Sequence, residues 1–425
     1  MRQVDVAIVG GGPAGAAAGH AAASEGADAV VVEKGVPRAD REDLGPDSTD
    51  AAGILDYWVD LMDLEEPIPE RVKHQELAAA EFNSPTETLV LRNTTMPSSY
   101  PNFGFTVHRA RFDDSPSHTL SLRDGSEIEA DHLVLADGPQ RTVTARVLGR
   151  WLPEETMERL SSRNANHIAY QEYRRLPAEL FEGDRIKFWW GYMPGHTAYP
   201  WVFPNDDPVA RIGLTMPIDL DLEAVDDREA YRLLRPGDDR VPQGATYIRR
   251  LLEEVYDGYD AGDFPLVEDR GKSAGTETYP ISSTRPIESP TDADVAVVGG
   301  AMGGTSAFHE GGDHVAIRTG RIAGRLAARD DLSAYNAEWQ AAVGDEIRRN
   351  CVFADMVRGY GPDDWDTVFG LVDRVKDRDG FEPYRTLYSG LTGAKLFAAY
   401  LRRKFGYRNG RYAQIRSDDY RVDGR

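Results

Sequence analysis

The glycines in Gly10-x-Gly12-x-x-Gly15 directly follow a β-prone run at residues 4–9 and open an alanine-rich helix former at 16–25. Glu33 closes a second apolar run at 28–32, 23 residues after Gly10. Strand, glycine turn, helix, strand and acid in that order can do one kind of chemistry, which is holding a dinucleotide. Gly10 permits the tight turn, Gly12 lets backbone approach a pyrophosphate, and Gly15, next to Ala14, lets helix and strand pack closely. The helix N-terminus meets the phosphate charge, and Glu33 accepts hydrogen bonds from a ribose. The competing reading is an alanine-rich core helix with no ligand.

A second group is Tyr199-Pro200-Trp201-Val202-Phe203-Pro204. At the strand period of two, Tyr199, Trp201 and Phe203 share one face. They either wall a long apolar tunnel or fill a β core. Phe308-His309-Glu310-Gly311-Gly312-Asp313-His314 gathers two histidines and two acids in one loop. The His-x-x-x-His spacing is missing, so no metal is expected. His309 is a candidate proton donor or a plain loop histidine, and no catalytic residue is assigned. Residues 395–416 hold Lys395, Arg402, Arg403, Lys404, Arg408, Arg411 and Arg416 with no acid among them. With Leu396, Phe397, Tyr400, Leu401, Phe405 and Tyr407 interleaved, this stretch suits either an anionic membrane surface or docking on the acidic body.

Four segments must position the dinucleotide. Residues 132–138 and 294–300 read as buried strands ending in glycine turns, and they should join 4–9 and 28–32 in one parallel sheet. Residues 188–192, 199–204 and 209–214 read as aromatic antiparallel strands, and 333–425 as mostly helical. The fold class is α/β. A discontinuous nucleotide-binding domain is expected at 1–55, 100–150 and 275–330, an inserted antiparallel-sheet substrate domain at 56–99 and 151–274, and a helical C-terminal region at 331–425.

Composition narrows the function. The 425 residues are 41% hydrophobic, enough for a full globular core. A net charge of −22 argues against nucleic acid, whose phosphates need a positive footprint. Only seven of the 49 basic residues are lysine, against 71 acids. That balance reads as a surface adapted to high salt, with an ordinary acidic protein as the alternative. A lone cysteine, Cys351, excludes a disulfide framework and a four-thiolate iron–sulfur cluster, and it points to a reducing cytoplasm. The apolar run at 4–23 is rich in Gly and Ala and broken by Pro13, so neither a membrane span nor a targeting segment is expected.

Val107-x-Arg109-x-x-Phe112-Asp113, and the strand at 133–138 ending in Ala-Asp-Gly, resemble segments of FAD enzymes of the p-hydroxybenzoate hydroxylase type. Within that group, Tyr199-x-Trp201-x-Phe203-Pro204 matches every fixed position of the Tyr-x-Trp-x-Phe-Pro motif of the geranylgeranyl reductase family. Gly213 fits the same pattern, and the resemblance spans roughly residues 1–330. It implies a Rossmann-like FAD-binding domain, with Arg109, Asp137, Gly300, Gly311 and Gly312 at the cofactor beside Gly10, Gly12, Ala14, Gly15 and Glu33. It further implies reduction of isolated double bonds in geranylgeranyl chains of archaeal membrane-lipid precursors. The electron donor would be reduced ferredoxin or a similar small carrier, and the protein would sit peripherally on the inner face of the membrane. A haloarchaeal source accords with the charge balance.

Other readings stay open: a quinone-linked, electron-transfer-flavoprotein-dehydrogenase-like protein, a flavin aromatic hydroxylase, or a non-catalytic nucleotide- or lipid-binding homologue. Three departures from the family pattern bear on them. Gly300 stands where an Asp is usual, residues 44–50 contain no cysteine, and about one helix and one strand are missing after Asp113.

Overall fold

A computed structural model of the chain describes residues 2–33, 52–62, 68, 73–94, 96–107, 128–206, 208–270, 273–282, 284–376 and 390–422. Four parallel strands, β1 (Arg2–Val9), β2 (Ala29–Val32), β8 (Ile128–Leu135) and β14 (Val295–Val297), pair in the order β14-β8-β1-β2. These are the four apolar runs expected to share a sheet.

Helix α1 (Pro13–Ser24) leaves the turn after β1, and its buried side is Ala14, Gly15, Ala18, Gly19 and Ala22. Such small residues let a second helix, which becomes α5 below, lie directly on its backbone. A Cβ on Gly320 would sit 2.1 Å from the Ala14 carbonyl oxygen, and one on Gly324 would sit 2.0 Å from that of Ala18.

A seven-stranded sheet makes the second layer. It runs β13-β9-β12-β11-β10-β5-β6, with β5 (Ala79–Asn83), β6 (Thr88–Leu91), β9 (Asn166–Arg175), β10 (Arg185–Trp189), β11 (Tyr199–Pro204), β12 (Val209–Pro217) and β13 (Thr276–Ser282). Its neighbours are antiparallel except for β5 and β10, which run parallel. The sheet reaches past residue 274, because β13 pairs with β9 and not with the four-stranded sheet. A third, antiparallel sheet of β3 (Ala52–Leu55), β7 (Gly104–Val107) and β4 (Lys73–Leu77) had no sequence signal. Each of its strands comes from a different expected segment and is only four or five residues long.

The remaining helices used here are α2 (Asp56–Leu61), α3 (Thr142–Leu148), α4 (Gly244–Val255), α5 (Asp313–Ala328), α6 (Tyr335–Val357), α7 (Pro362–Lys376) and α8 (Gly390–Gly406). Tyr247, Ile248, Leu251 and Leu252 of α4 share a core with Ile212 and Leu214 of β12, closing one face of the large sheet. Arg141 joins the layers from a fully buried position. Its guanidinium donates to the Ala301 carbonyl at 2.8 Å and to Ser282 Oγ at 2.9 Å. Burial lowers this guanidinium to about 10, against the opposing charge of Asp137. Among the described residues, no helix is long and apolar enough to cross a membrane.

His314 of α5 and Glu346 of α6 bind at 3.0 Å between Nε2 and Oε1. Burial opposes the Glu346 charge, but the hydrogen bond and charge of His314, with the charges of His309 and Arg349, hold the carboxyl down at about 2. A carboxyl whose pKa is lowered by folding stabilises the protein above its ordinary value, and that contribution fades as pH falls through the lowered one. Glu346→Gln is therefore expected to cost about 1–2 kcal/mol at pH 7 and to flatten the loss of stability between about pH 4.5 and 2. Urea melts of both proteins across that range check it.

Candidate functional site

A cavity of about 1320 Å³ begins at Gly12, Pro13 and Ala14 and continues past Asp137 and Gly300 to Gly311 and Gly312. It then runs along the seven-stranded sheet as far as Phe353 of α6. Six of the expected cofactor residues thus lie on one surface: Gly12, Ala14, Asp137, Gly300, Gly311 and Gly312. Gly10 and Gly15 lie behind it as packing positions. Gly10 has φ +107, and a Cβ there would come 2.4 Å from the Ala136 oxygen, while a Cβ on Gly15 would come 1.8 Å from the Gly10 oxygen. Gly12 differs, since a Cβ there meets nothing within 4 Å. No side chain caps α1, so its first N–H groups are open to an anion. Glu33 Oε2 accepts the Gly11 N–H at 2.6 Å, beside that opening.

At the other end of the polar stretch, α5 also starts without a side-chain cap. A Cβ on Gly311 would sit 2.9 Å from the Trp58 ring, and one on Gly312 would sit 3.0 Å from Thr305 Cα, so this shelf is bare backbone by necessity. Gly300 faces Pro139, whose Cδ would be 3.1 Å from an added Cβ. An Asp at 300 would require Pro139 to shift. Asp137 lines the cavity with its carboxylate committed elsewhere. Oδ2 accepts the N–H groups of Val143 and Thr144 at 2.6 and 3.1 Å, and the Thr144 hydroxyl donates to Oδ1, so Asp137 holds the start of α3. Arg109, with Phe112, Asp113 and the stretch 44–50, lies outside the described residues. The open start of α1, bare Gly12 and the glycine shelf fit a dinucleotide carrying a flat ring. The volume exceeds the ~300–1,000 Å³ typical of a single small-molecule site, leaving room for a second ligand.

That room is aromatic. Tyr199, Trp201 and Phe203 all line it, as their shared strand face predicts. Trp201 pairs with Gly213 across β11 and β12, and a Cβ on Gly213 would lie 2.4 Å from the indole. The glycine lets the ring lie flat on the strand. The Tyr199 hydroxyl donates to the His309 carbonyl at 2.7 Å, which ties the wall to the glycine shelf. Burial pushes that hydroxyl's pKa well above the usual tyrosine range.

Trp190 stacks on Tyr199 at 4.3 Å and on Phe308 at 5.4 Å, and Phe188 stacks on Phe82 at 5.2 Å. The aromatic stretch at 188–192 signalled Trp190 and Phe188. Phe82, Tyr279 and Phe353 carried no signal, because each reaches the cavity from a distant segment through the fold alone.

Few side chains on the cavity can move a proton. Burial lowers His309 to about 4, so the ring is neutral at pH 7. Its Nδ1 accepts the Gly311 N–H at 3.2 Å, which assigns the proton to Nε2. His314 is held by Glu346 and stacks on Trp58 at 4.3 Å. Burial in the core pushes the thiol of Cys351, on α6, up to about 12. Glu310, beside the shelf, lines the cavity and meets His167 of β9 at 2.5 Å between Oε1 and Nδ1. Nothing in the sequence linked those two residues.

Residues 5–74 match the family model described as an FAD binding domain. The chain is 24% identical over 397 residues to digeranylgeranylglycerophospholipid reductase 2 of Methanothermobacter thermautotrophicus, covering 86% of this chain and 90% of that one. In structure it is similar to a geranylgeranyl bacteriochlorophyll reductase-like protein of Thermoplasma acidophilum, with TM-score 0.64 at 18% identity over 88% and 92% of the two chains. It is also similar to a myxobacterial FAD-dependent chondrochloren halogenase, with TM-score 0.57 at 17% identity over 98% and 100%. The two structural likenesses carry the fold, the matched domain carries the cofactor, and the chain is an FAD-dependent oxidoreductase.

Proposed function

We propose that this protein saturates isolated double bonds of geranylgeranyl chains in membrane-lipid precursors. The observation that carries the reading is a single cavity running from the open start of α1 to a wall of stacked aromatic rings. The reductases named among its relatives, of like length, favour it over a quinone-linked or hydroxylating flavoprotein. Bound FAD supplies two-electron chemistry at its ring.

The protein's own residues bind, orient and keep out water. The α1 N-terminus and bare Gly12 take the pyrophosphate, Glu33 takes the ribose, and Gly311 and Gly312 let a flat ring rest on backbone. Tyr199, Trp201 and Phe203 orient a chain that offers no polar handle. Each CH₂-sized unit buried there contributes about 0.8 kcal/mol, so the wall sets both affinity and which double bond is placed for reaction.

The electron donor in this reading is a small reduced carrier such as ferredoxin, since the sequence holds one dinucleotide fingerprint and FAD uses it. Access to lipid is through α8. Tyr400 of α8 packs on Phe353, whose ring meets Phe308 at the cavity. Leu391, Leu401 and Phe405 are 74%, 42% and 64% exposed and fall within about a quarter-turn of one another at 3.6 residues per turn. Lys395 and Arg402 flank them, a combination suited to an anionic lipid surface.

Gly12→Val places a branched side chain where the pyrophosphate approaches but touches no protein atom. It is expected to lose most bound FAD, read as the flavin-to-protein absorbance ratio, with an unchanged melting temperature. A wild-type ratio in that variant assigns the loop no cofactor role. Trp201→Ala should keep the flavin spectrum, slow reduction of a geranylgeranyl phospholipid by about tenfold, and spread reduction over other double bonds. Mass spectrometry of products from chemically reduced enzyme checks both. Replacing Leu391, Leu401 and Phe405 by serine should abolish sedimentation with anionic vesicles and leave reduction of detergent-dispersed lipid intact.

A further inference from the structure

Resting on the reductase reading above, we infer that Glu310 is the acid that protonates the alkene and that His167 and His196 resupply its proton. The side chains of Glu310 and His167 are 2% and 4% exposed, yet Glu310 lies on the cavity surface among Tyr199, Tyr279 and Phe308. Beyond the 2.5 Å approach of His167, neither carboxylate oxygen has a hydrogen-bond partner among the described residues. A buried, otherwise unpartnered carboxyl at a dry cavity is costly unless it is used or neutralised. Its backbone adds a second sign, with φ +59, in the left-handed region that a glutamate rarely adopts.

Four other titratable side chains on the cavity have contacts or states of their own. The Tyr199 hydroxyl donates to the His309 carbonyl and the Tyr279 hydroxyl to Gln171 Oε1 at 3.1 Å. The Asp137 carboxylate caps α3, and the His309 ring is neutral. From Glu310 a route leads outward. The His167 ring meets the half-buried His196 ring edge-on at 5.2 Å. Tyr199, Tyr279 and Arg358 are the further titratable groups whose charges bear on Glu310 and His196.

In the step proposed, one alkene carbon would receive a hydride that bound reduced flavin supplies. The Glu310 carboxyl O–H breaks, and its proton joins the other carbon. The alkene gains two electrons and the flavin loses two. Glu310, left as carboxylate, takes a proton from His167 Nδ1, and His167 regains one from solvent by way of His196.

Chemically reduced holoenzyme mixed with a geranylgeranyl phospholipid, with flavin absorbance read through one turnover, tests this. Glu310→Gln is expected to keep its flavin and its lipid affinity and to slow reoxidation by about 100-fold or more, and His167→Asn by about tenfold. In the apoprotein, histidine-ring NMR should show a His167 titration that differs between the wild type and Glu310→Gln, because the 2.5 Å contact couples the two groups. A wild-type rate in either variant, or an unmoved His167 titration, overturns the relay and leaves the reductase reading standing. Reduced wild-type enzyme that the lipid fails to reoxidise overturns the reductase reading instead, and the NMR comparison still decides whether Glu310 and His167 are coupled.

Discussion

The backbone contact between α1 and α5 sets the rest of the structure. With Gly320 against the Ala14 carbonyl and Gly324 against that of Ala18, the two helices lie closer than any side chain would allow. The consequence is positional. Both helices begin at one cavity, α1 at Gly12 and α5 just after Gly312, and neither spends a side chain on capping. Two helix N-termini then put partial positive charge on the same space. A methyl group at either glycine would force the helices apart and separate those ends.

Burial is the second constraint, and it acts on two titratable groups at the cavity. Burial pushes the Tyr199 hydroxyl up and the His309 ring down, leaving both uncharged at neutral pH. An aromatic wall orients an apolar chain well but supplies no proton. Two further pairs at the shelf join different elements, His314 with Glu346 and Glu310 with His167. The first pair faces Trp58 and ties two helices together. The second opens onto the aromatic end.

The late part of the chain completes the site rather than decorating it. Trp365 of α7 packs tilted on Trp190 at 4.7 Å, Phe353 of α6 closes the cavity, and Tyr400 of α8 backs Phe353. The region expected to be helical at 331–425 thereby adds to the cavity wall. The basic helix α8 is docked through buried Tyr400 and Gly393 and leaves Leu391, Leu401 and Phe405 exposed.

What could be read from residue order was local. The glycine turn, Glu33 at its strand end and the four apolar strands are short-range patterns whose geometry follows from neighbouring residues. Tyr199, Trp201 and Phe203 share a face because strands alternate, whatever surrounds them. The Gly300 replacement was visible too, though its reason, Pro139 lying close by, was not. Asp137, expected at the cofactor, lines the cavity, but its carboxylate holds α3, whose start lies five residues further on. Only the tertiary structure could bring together His167 and Glu310, 143 positions apart, or Phe82, Tyr279 and Phe353 at one cavity. Pairings between distant segments depend on how sheets and helices stack, and no local spacing encodes that.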